Sequence, residues 1–351
     1  MAKGQVAVAM SGGVDSAAAA LLLLQAGYDV WGVTLRLQSC GAAVETAERE
    51  IESARQAAAA LCIPHRVLDL RERFRSAVMD RFVSEYLAGR TPNPCIDCNR
   101  EIKFGALLDW ALDQGADYLS TGHYARVDRD PESGRWRLLR GLDRRKDQSY
   151  VLYQLTQRQL SHLLLPLGGY DKPSIRDMVE ARGLLNARKA DSQDICFIPD
   201  GDYTAFLERS GVDLVPGDFV DREGRVLGRH KGLPCYTPGQ RKGLGVSAGE
   251  PVYVLRKEAA GNRIVLGPDR ALYTTELTAE RVNWLSVPPP EGPLAVTAKT
   301  RYTQKEAAAV AELLPDGRLR VTFQEPQRAV TAGQAVVLYV GEAVAGGGTI
   351  C

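Results

Sequence analysis

The sequence predicts an α/β fold: an N-terminal doubly wound parallel sheet, followed by two small β domains, the last a β-barrel. Three observations carry this. In the N-terminal part, short β-branched apolar runs alternate with Ala/Leu-rich or amphipathic runs, the pattern of parallel strands joined by crossover helices. Near Asp200 this gives way to short alternating segments punctuated by Gly and Pro. Beyond residue 275 further alternating segments are separated by turns such as Pro315-Asp316-Gly317, as in a small barrel. At 351 residues the chain exceeds one usual core. The expected divisions are 1–204, 205–275 and 276–351.

In chain order, Val6–Met10 is a short apolar run suited to a strand buried on both faces. Ala17–Leu24 suits a buried helix. Tyr28–Leu37 and Pro64–Leu70 read as strands, Thr46–Leu61 and Phe74–Leu87 as helices. Gly89–Lys103 reads as a loop entering a helix over Phe104–Gly115, and Asp117–Thr121 as a further strand. Trp136–Leu139 suggests a surface hairpin, and Ser149–Leu160 and Ser174–Arg182 suggest helices. The small domains are read from Asp218–Val220, Arg225–Leu227, Pro251–Leu255 and Arg263–Leu266, then from Leu294–Thr300, Ala307–Leu313, Arg318–Phe323 and Ala335–Val340. The cluster Pro288-Pro289-Pro290 is hinge-like.

Hydrophobic content of 45% and charged content of 25% are ordinary for a soluble globular protein. A net charge of +1 gives no global field for nucleic acid, so an RNA surface must be a local patch. No apolar run reaches the ~18 residues of a membrane span, and no signal peptide precedes the first strand, so a cytoplasmic location without membrane contact is expected. Seven cysteines, an odd number, argue against a disulfide framework and bring metal, redox or nucleophilic roles forward.

Ser11-Gly12-Gly13-Val14-Asp15-Ser16 lies where a strand turns into a helix. Glycines admit close approach of backbone N–H groups, and a helix N-terminus favours an anion. The loop lacks the Gly-Lys-Ser/Thr ending of the Walker type and matches the pyrophosphatase loop of enzymes that split ATP into AMP and pyrophosphate. Ala9, Met10, Ser11, Gly12, Gly13, Val14, Asp15 and Ser16 are the expected ATP-binding set, with Asp15 also offered to Mg²⁺. Leu35 and Gly122, at the ends of other strands, fall on the same side of the sheet, Leu35 being equally suited to plain core packing.

Cys95 and Cys98 form a C-x-x-C pair before a helix, within Thr91-Pro92-Asn93-Pro94-Cys95-Ile96-Asp97-Cys98-Asn99-Arg100. A helix N-terminus and a nearby arginine are expected to lower a thiol pKa. The pair alone is ambiguous between a redox couple, half a zinc site and cluster ligands. Cys196, in Asp191-Ser192-Gln193-Asp194-Ile195-Cys196, reads by itself as an inert cysteine and becomes a second reactive thiol only together with Cys98. Arg135, Arg137, Arg140, Arg144, Arg145 and Lys146 crowd one stretch, and Arg229, Lys231, Arg241 and Lys242 another. Such runs suit RNA phosphates or simply a solvated face.

The ordered set Ser-Gly-Gly-Val-Asp-Ser, Gly89-Arg90-Thr91-Pro92-Asn93-Pro94, Cys98-Asn99, Ile102-Lys103-Phe104, Thr121-Gly122-His123-Tyr124, Lys146-Asp147-Gln148-Ser149-Tyr150, Cys196-Phe197-Ile198 and Thr237-Pro238-Gly239-Gln240-Arg241 resembles the tRNA-specific 2-thiouridylases over essentially the whole chain. The resemblance implies an adenine nucleotide alpha hydrolase-like sheet and replacement of the C2 oxygen of the wobble uridine by sulfur in tRNAs for Lys, Glu and Gln. ATP would adenylate that oxygen. Sulfur would come as a persulfide from a cysteine desulfurase or a sulfur-relay protein. Cys196 would carry the persulfide and Cys98 would be the nucleophile, attacking directly or through a transient disulfide with Cys196. Asn93, Pro94 and Cys95 would meet the target base; His123, Lys146, Asp147, Gln148, Arg301, Tyr302 and Gln334 would contact tRNA.

One departure stands out. The family's better-known pattern places Asp at position 95, as general acid/base, and Asp97 is shifted from it by two. Cys95, Cys98 and Cys196 together supply the ligand count of a [4Fe–4S] cluster with one open iron, a route alternative to the persulfide. Two other readings are an amide-forming pyrophosphatase-loop synthetase, which would not need Cys98, and a non-catalytic tRNA-binding or sulfur-relay protein, which would not need the loop.

Overall fold

A computed structural model describes residues 3–38, 42–183, 195–247 and 249–351. Cys40 and positions 191–194 of the Cys196 segment lie outside the described residues. Strands β1 (Gln5–Ala9), β2 (Asp29–Arg36), β3 (His65–Asp69), β4 (Tyr118–Ser120) and a two-residue β7 (Leu163–Leu164) form a parallel sheet in the order β3-β2-β1-β4-β7. Central β1 is buried on both faces: Ala7 enters one core, Val6 and Val8 the other. The chain leaves β1 for neighbours on both sides, so the loop after it opens into the crevice where such sheets bind ligands. Helix α1 (Val14–Gln25) follows, with Ala17–Ala20 fully buried; small side chains let it lie close on the sheet. Helix α2 (Ala42–Ala60) connects β2 to β3, and α3 (71–87) carries a π-helical segment at Arg75–Met79.

Helix α4 (94–113) starts at Pro94 rather than at Phe104 and continues through a π-helical stretch, Cys98–Leu107. Asn93 caps it, its side chain accepting from Cys95 N at 3.1 Å, and Pro94 takes the first helical position. Cys95 and Cys98 therefore sit within the first turns of a helix, not in a loop ahead of it. The expected helix over 149–160 is two pieces, a 3-10 turn at Ser149–Leu152 and α5 (Gln157–Ser161), because Thr156 and Gln159 form a capping box that starts a new helix.

Strands β5 (Ala125–Arg129) and β6 (Trp136–Arg140) make the expected hairpin, but β6 also joins the C-terminal sheet through Leu139 and Ala343. Helices α6 (Lys172–Ala181) and α7 (Tyr203–Arg209) precede a four-stranded sheet of β8 (Gly217–Val220), β9 (Val226–His230), β10 (Tyr253–Glu258) and β11 (Arg263–Gly267), in the order β10-β11-β8-β9. The last six strands are β12 (Tyr273–Trp284), β13 (Leu294–Lys299), β14 (Ala307–Leu313), β15 (Leu319–Arg328), β16 (Ala335–Val340) and β17 (Ala343–Ile350). They close as an antiparallel barrel, β12-β15-β14-β13-β16-β17 with β12 paired back to β17. The proline cluster lies in the β12–β13 connection, inside this barrel unit. One hydrophobic core is shared between sheet and barrel: Leu119 and Leu163 belong to the same cluster as Ala335, Val337, Tyr339 and Val344.

Candidate active site

The glycine loop forms the bend from β1 to α1. Gly12 needs to be glycine: its φ is +68°, and a Cβ there would lie 2.6 Å from the Glu50 carbonyl oxygen of α2. Ser16 Oγ donates to the Gly13 carbonyl at 3.1 Å and accepts from Ser11 N at 3.2 Å, tying the turn closed. Met10 is buried, its carbonyl accepting from Thr34 Oγ1 at 2.7 Å. Ala9 and Val14 pack into the two cores beside β1, and Leu35 packs partly buried between two core clusters. Gly122 touches the loop directly: a Cβ on it would be 2.8 Å from Asp15 Cβ and 3.0 Å from Ser16 N. The structure thus sets Gly122 against the glycine loop, while Leu35 packs among core side chains. It also adds two groups that were not singled out for this loop. Lys172 Nζ donates to both Asp15 oxygens at 2.7 and 2.8 Å, and Tyr124 OH donates to Asp15 Oδ1 at 2.8 Å. Both approach from chain segments more than a hundred residues away, so no local motif announces them.

The thiols differ from expectation in their protonation. Burial pushes Cys98 up from 9.0 to about 11 and Cys196 up to about 12, and it raises Cys95 too. Desolvation outweighs the lowering field of Lys103, which acts on all three. The helix start and Arg100 do not deliver the thiolate expected from the sequence; Arg100 is turned to Asp97 and Glu101. Cys98 is buried, while Cys95 and Cys196 keep solvent-accessible surface. The three thiols perturb one another, and Glu50 acts on Cys196. The Glu50 carbonyl of α2 abuts Gly12, and Cys98 packs in one hydrophobic cluster with Phe197, the neighbour of Cys196, and with Leu35 at the end of β2. Among the described residues, no group of three His, Cys, Asp or Glu side chains is placed to hold a metal ion. Cys95, Cys98 and Cys196 are therefore not arranged as a preformed three-thiolate cradle. Asp97 is buried in ion pairs with Arg81 at 3.2 Å and Arg100 at 3.5 Å, and burial still raises its carboxyl to about 6.

The residues expected at tRNA fall into two groups. Lys146, Asp147, Gln148 and Tyr302 keep exposed surface, and the Tyr302 ring lies edge-on to that of Tyr150, two residues beyond Gln148, at 6.0 Å between centroids. His123, Arg301, Gln334, Asn93 and Pro94 are engaged internally, and so are the side chains of Asp147 and Gln148 despite their partial exposure. His123 is buried, hydrogen-bonded through Nδ1 to Thr121 Oγ1 at 2.7 Å, and desolvation holds it neutral. Gln148 Oε1 accepts from Tyr124 N, and Asp147 Oδ1 accepts from Gly141 N and Ser149 N. Arg301 donates to the Pro238 and Ala329 carbonyls and to Thr331 Oγ1. Gln334 Nε2 donates to the Thr91 carbonyl at 2.7 Å. Asn93 and Pro94 form the cap of α4 itself. The Arg135–Lys146 stretch is largely neutralised: Arg137 pairs with Asp128, Arg140 with Glu306, Arg144 with Glu342 and Arg145 with Asp143.

Three family profiles match successive parts of the chain: a tRNA methyl transferase HUP domain over 4–200, a tRNA methyl transferase PRC-barrel domain over 204–268 and an aminomethyltransferase beta-barrel domain over 274–350. The tRNA-specific 2-thiouridylase MnmA of Heliobacterium modesticaldum is 51% identical over 99% of this chain and 92% of its own length. That of Desulfitobacterium hafniense is 50% identical over 99% of this chain and 98% of its own. A solved U34-tRNA thiolase NcsA from Methanococcus maripaludis, with its [4Fe-4S] cluster, matches at a TM-score of 0.36 and 15% identity, over 60% of this chain and 68% of its own. At half-identity along its full length, the chain belongs to the tRNA-specific 2-thiouridylase family.

Proposed function

We propose that this protein is an ATP-dependent tRNA-uridine 2-sulfurtransferase, making 2-thiouridine at the wobble position of tRNAs for Lys, Glu and Gln. What carries the reading, beyond family membership, is that Cys98 and Phe197, the neighbour of Cys196, pack in one cluster with Leu35 at the end of β2, the strand beside the one that leads into the pyrophosphatase loop. A urea-like C2 carbonyl is a poor electrophile whose oxygen leaves badly, and adenylation repairs both defects. The C2 oxygen attacks the α-phosphorus of ATP and pyrophosphate departs with the bridging electron pair. A persulfide on Cys196 then attacks C2, and AMP leaves with the former C2 oxygen. The Cys98 thiolate attacks the inner Cys196 sulfur, freeing the thiocarbonyl and leaving a Cys98–Cys196 disulfide for an external thiol to reduce. The persulfide's lower pKa bypasses the scarcity of thiolate at Cys196.

Ala9 to Ser16, with Leu35 and Gly122, bind ATP in this reading. Asp15, the acidic side chain of the loop, would hold Mg²⁺ beside the phosphates, where the ion supplies charge neutralisation. Among the described residues the thiols do not form a preformed three-ligand cradle for a [4Fe–4S] cluster, and no step is assigned to one. Asn93, Pro94 and Cys95 face the target base, Lys146–Gln148 and Tyr302 present the RNA surface, and His123, Arg301 and Gln334 support it from beneath. The chain divides at 1–204, 205–275 and 276–351, with a cysteine desulfurase or sulfur-relay protein as donor in the cytoplasm. No described helix is long and apolar enough to cross a membrane. The test is mass spectrometry of tRNA nucleosides after incubation with ATP and a sulfur source. We expect 2-thiouridine in step with pyrophosphate; pyrophosphate without 2-thiouridine overturns the assignment.

A further inference from the structure

The loop has a charge problem. From Gly4 to Leu35 the chain contains no Lys or Arg, so the segment that cradles a polyphosphate brings no cation of its own. The fold brings one from elsewhere. Lys172 is the first residue of α6, where the helix dipole repels a cation, and its side chain is only 7% exposed. Both features oppose placing an ammonium there, and fixing a long side chain adds an entropic cost. What holds it is Asp15, in the first turn of α1, through the two short hydrogen bonds described above. Asp15 itself remains 32% exposed, so its carboxylate can change partners. The face of Tyr124, with its centroid 5.9 Å from Nζ, adds a second attraction for the ammonium.

We propose that Lys172 is an anion-binding residue of this site, specific for a polyphosphate. Its ammonium rests on Asp15 while the loop is empty and passes to the phosphates when nucleotide enters. The inference rests on the ATP reading above and deepens it. When the bond between the α-phosphorus and its bridging oxygen breaks, the electron pair stays with pyrophosphate, and Lys172 offsets that charge. The freed Asp15 carboxylate becomes available at the same moment. Resting on a carboxylate keeps the ammonium aimed at the loop before nucleotide enters.

The probe is inorganic pyrophosphate in the presence of EDTA, titrated calorimetrically into the full chain. Lys172→Met should weaken binding at least tenfold, and Lys172→Arg should retain most of it. Asp15→Asn, which removes the resting partner, should tighten metal-free pyrophosphate several-fold. Circular dichroism establishes that each variant is folded, and the Arg variant and Asp15→Asn keep the question decidable should the Met variant not fold. Wild-type affinity in Lys172→Met, or a loss in Asp15→Asn equal to that in Lys172→Met, overturns the proposal, because the ammonium would then serve only to hold Asp15. The parent reading fails separately, if the wild-type protein releases no pyrophosphate from ATP in the presence of tRNA.

Discussion

Alkylation across pH tests the resting state of the active-site thiols. Cys98 sits at about 11 against 9.0 for an unhindered thiol, a rise caused by burial. Each pKa unit is worth about 1.4 kcal/mol, so the folded site disfavours the thiolate by roughly 3 kcal/mol. At pH 8 an unhindered thiol is roughly 9% ionised, whereas Cys98 is about 0.1% ionised, a difference near a hundredfold in the reactive species. Iodoacetamide labelling followed by peptide mass spectrometry reads this residue by residue. The exposed Cys351 in the same digest serves as the reference for reagent and recovery. The Cys98 rate should rise about tenfold per pH unit from 7 to 10 with no plateau. Steric shielding alone lowers the rate at every pH without moving the plateau, so the slope separates the two causes. Circular dichroism at each pH establishes that the protein stays folded. A plateau below pH 9 refutes the argument and restores the low-pKa thiol that the C-x-x-C spacing suggested.

Two further perturbations follow from the geometry. Gly122→Ala puts a Cβ 2.8 Å from Asp15 Cβ and 3.0 Å from Ser16 N, so backbone must move. Overpacking of this kind costs about 1–3 kcal/mol, and ATP affinity measured by calorimetry should fall more than tenfold; unchanged affinity would show that Gly122 does not shape the loop. Asp97→Asn tests a buried carboxyl whose folded pKa, about 6, lies above the 3.8 of a free one. Its contribution is complete below pH 3.8 and is lost as pH rises towards 6. Between pH 5 and 7.5 the wild type should therefore lose about 1.4 kcal/mol of stability that the variant does not lose. Denaturant midpoints at the two pH values read this directly, and a gap independent of pH contradicts it.

The parallel sheet, the loop and the barrel were legible because each rests on local pattern: alternation, apolar runs, and glycines at a strand–helix bend. What was not legible depends on contacts distant in sequence. The head of α4 was misread as loop although its signals, Asn93 as cap and Pro94 in the first position, were present. The barrel's closing strand β17 was missed because Ala343–Ile350 contains Gly346, Gly347 and Gly348, which resemble a turn. These glycines serve close packing: a Cβ on Gly346 would lie 2.2 Å from the Asn283 carbonyl, and one on Gly347 would lie 2.4 Å from that of Val336. Lys172 at Asp15, and the desolvation of the thiols, arise only from tertiary packing. Composition could not show that the basic stretch at 135–146 is mostly neutralised by partners as distant as Glu306 and Glu342.

Those distant contacts explain why a barrel accompanies a nucleotide-binding sheet. Its loop at 332–334 presses on the segment leading to the cysteines. Thr91 N donates to the Ala332 carbonyl at 2.9 Å, Gln334 returns a bond to the Thr91 carbonyl, and a Cβ on Gly333 would meet Arg90 Cβ and Thr91 N at 2.9 Å. Arg301 binds the far side of the same loop through Thr331 and joins it to the Pro238 turn of the central sheet. Tyr150 OH donates to the Ala335 carbonyl, and Asn283 Nδ2 donates to the Tyr153 and Leu155 carbonyls, so the segment between β6 and α5 is clamped as well. Each bond is worth only about 1 kcal/mol, but together they fix the entry to α4 from outside the sheet. An RNA that displaced Gln334 or Arg301 from these partners would loosen the segment carrying Cys95 and Cys98.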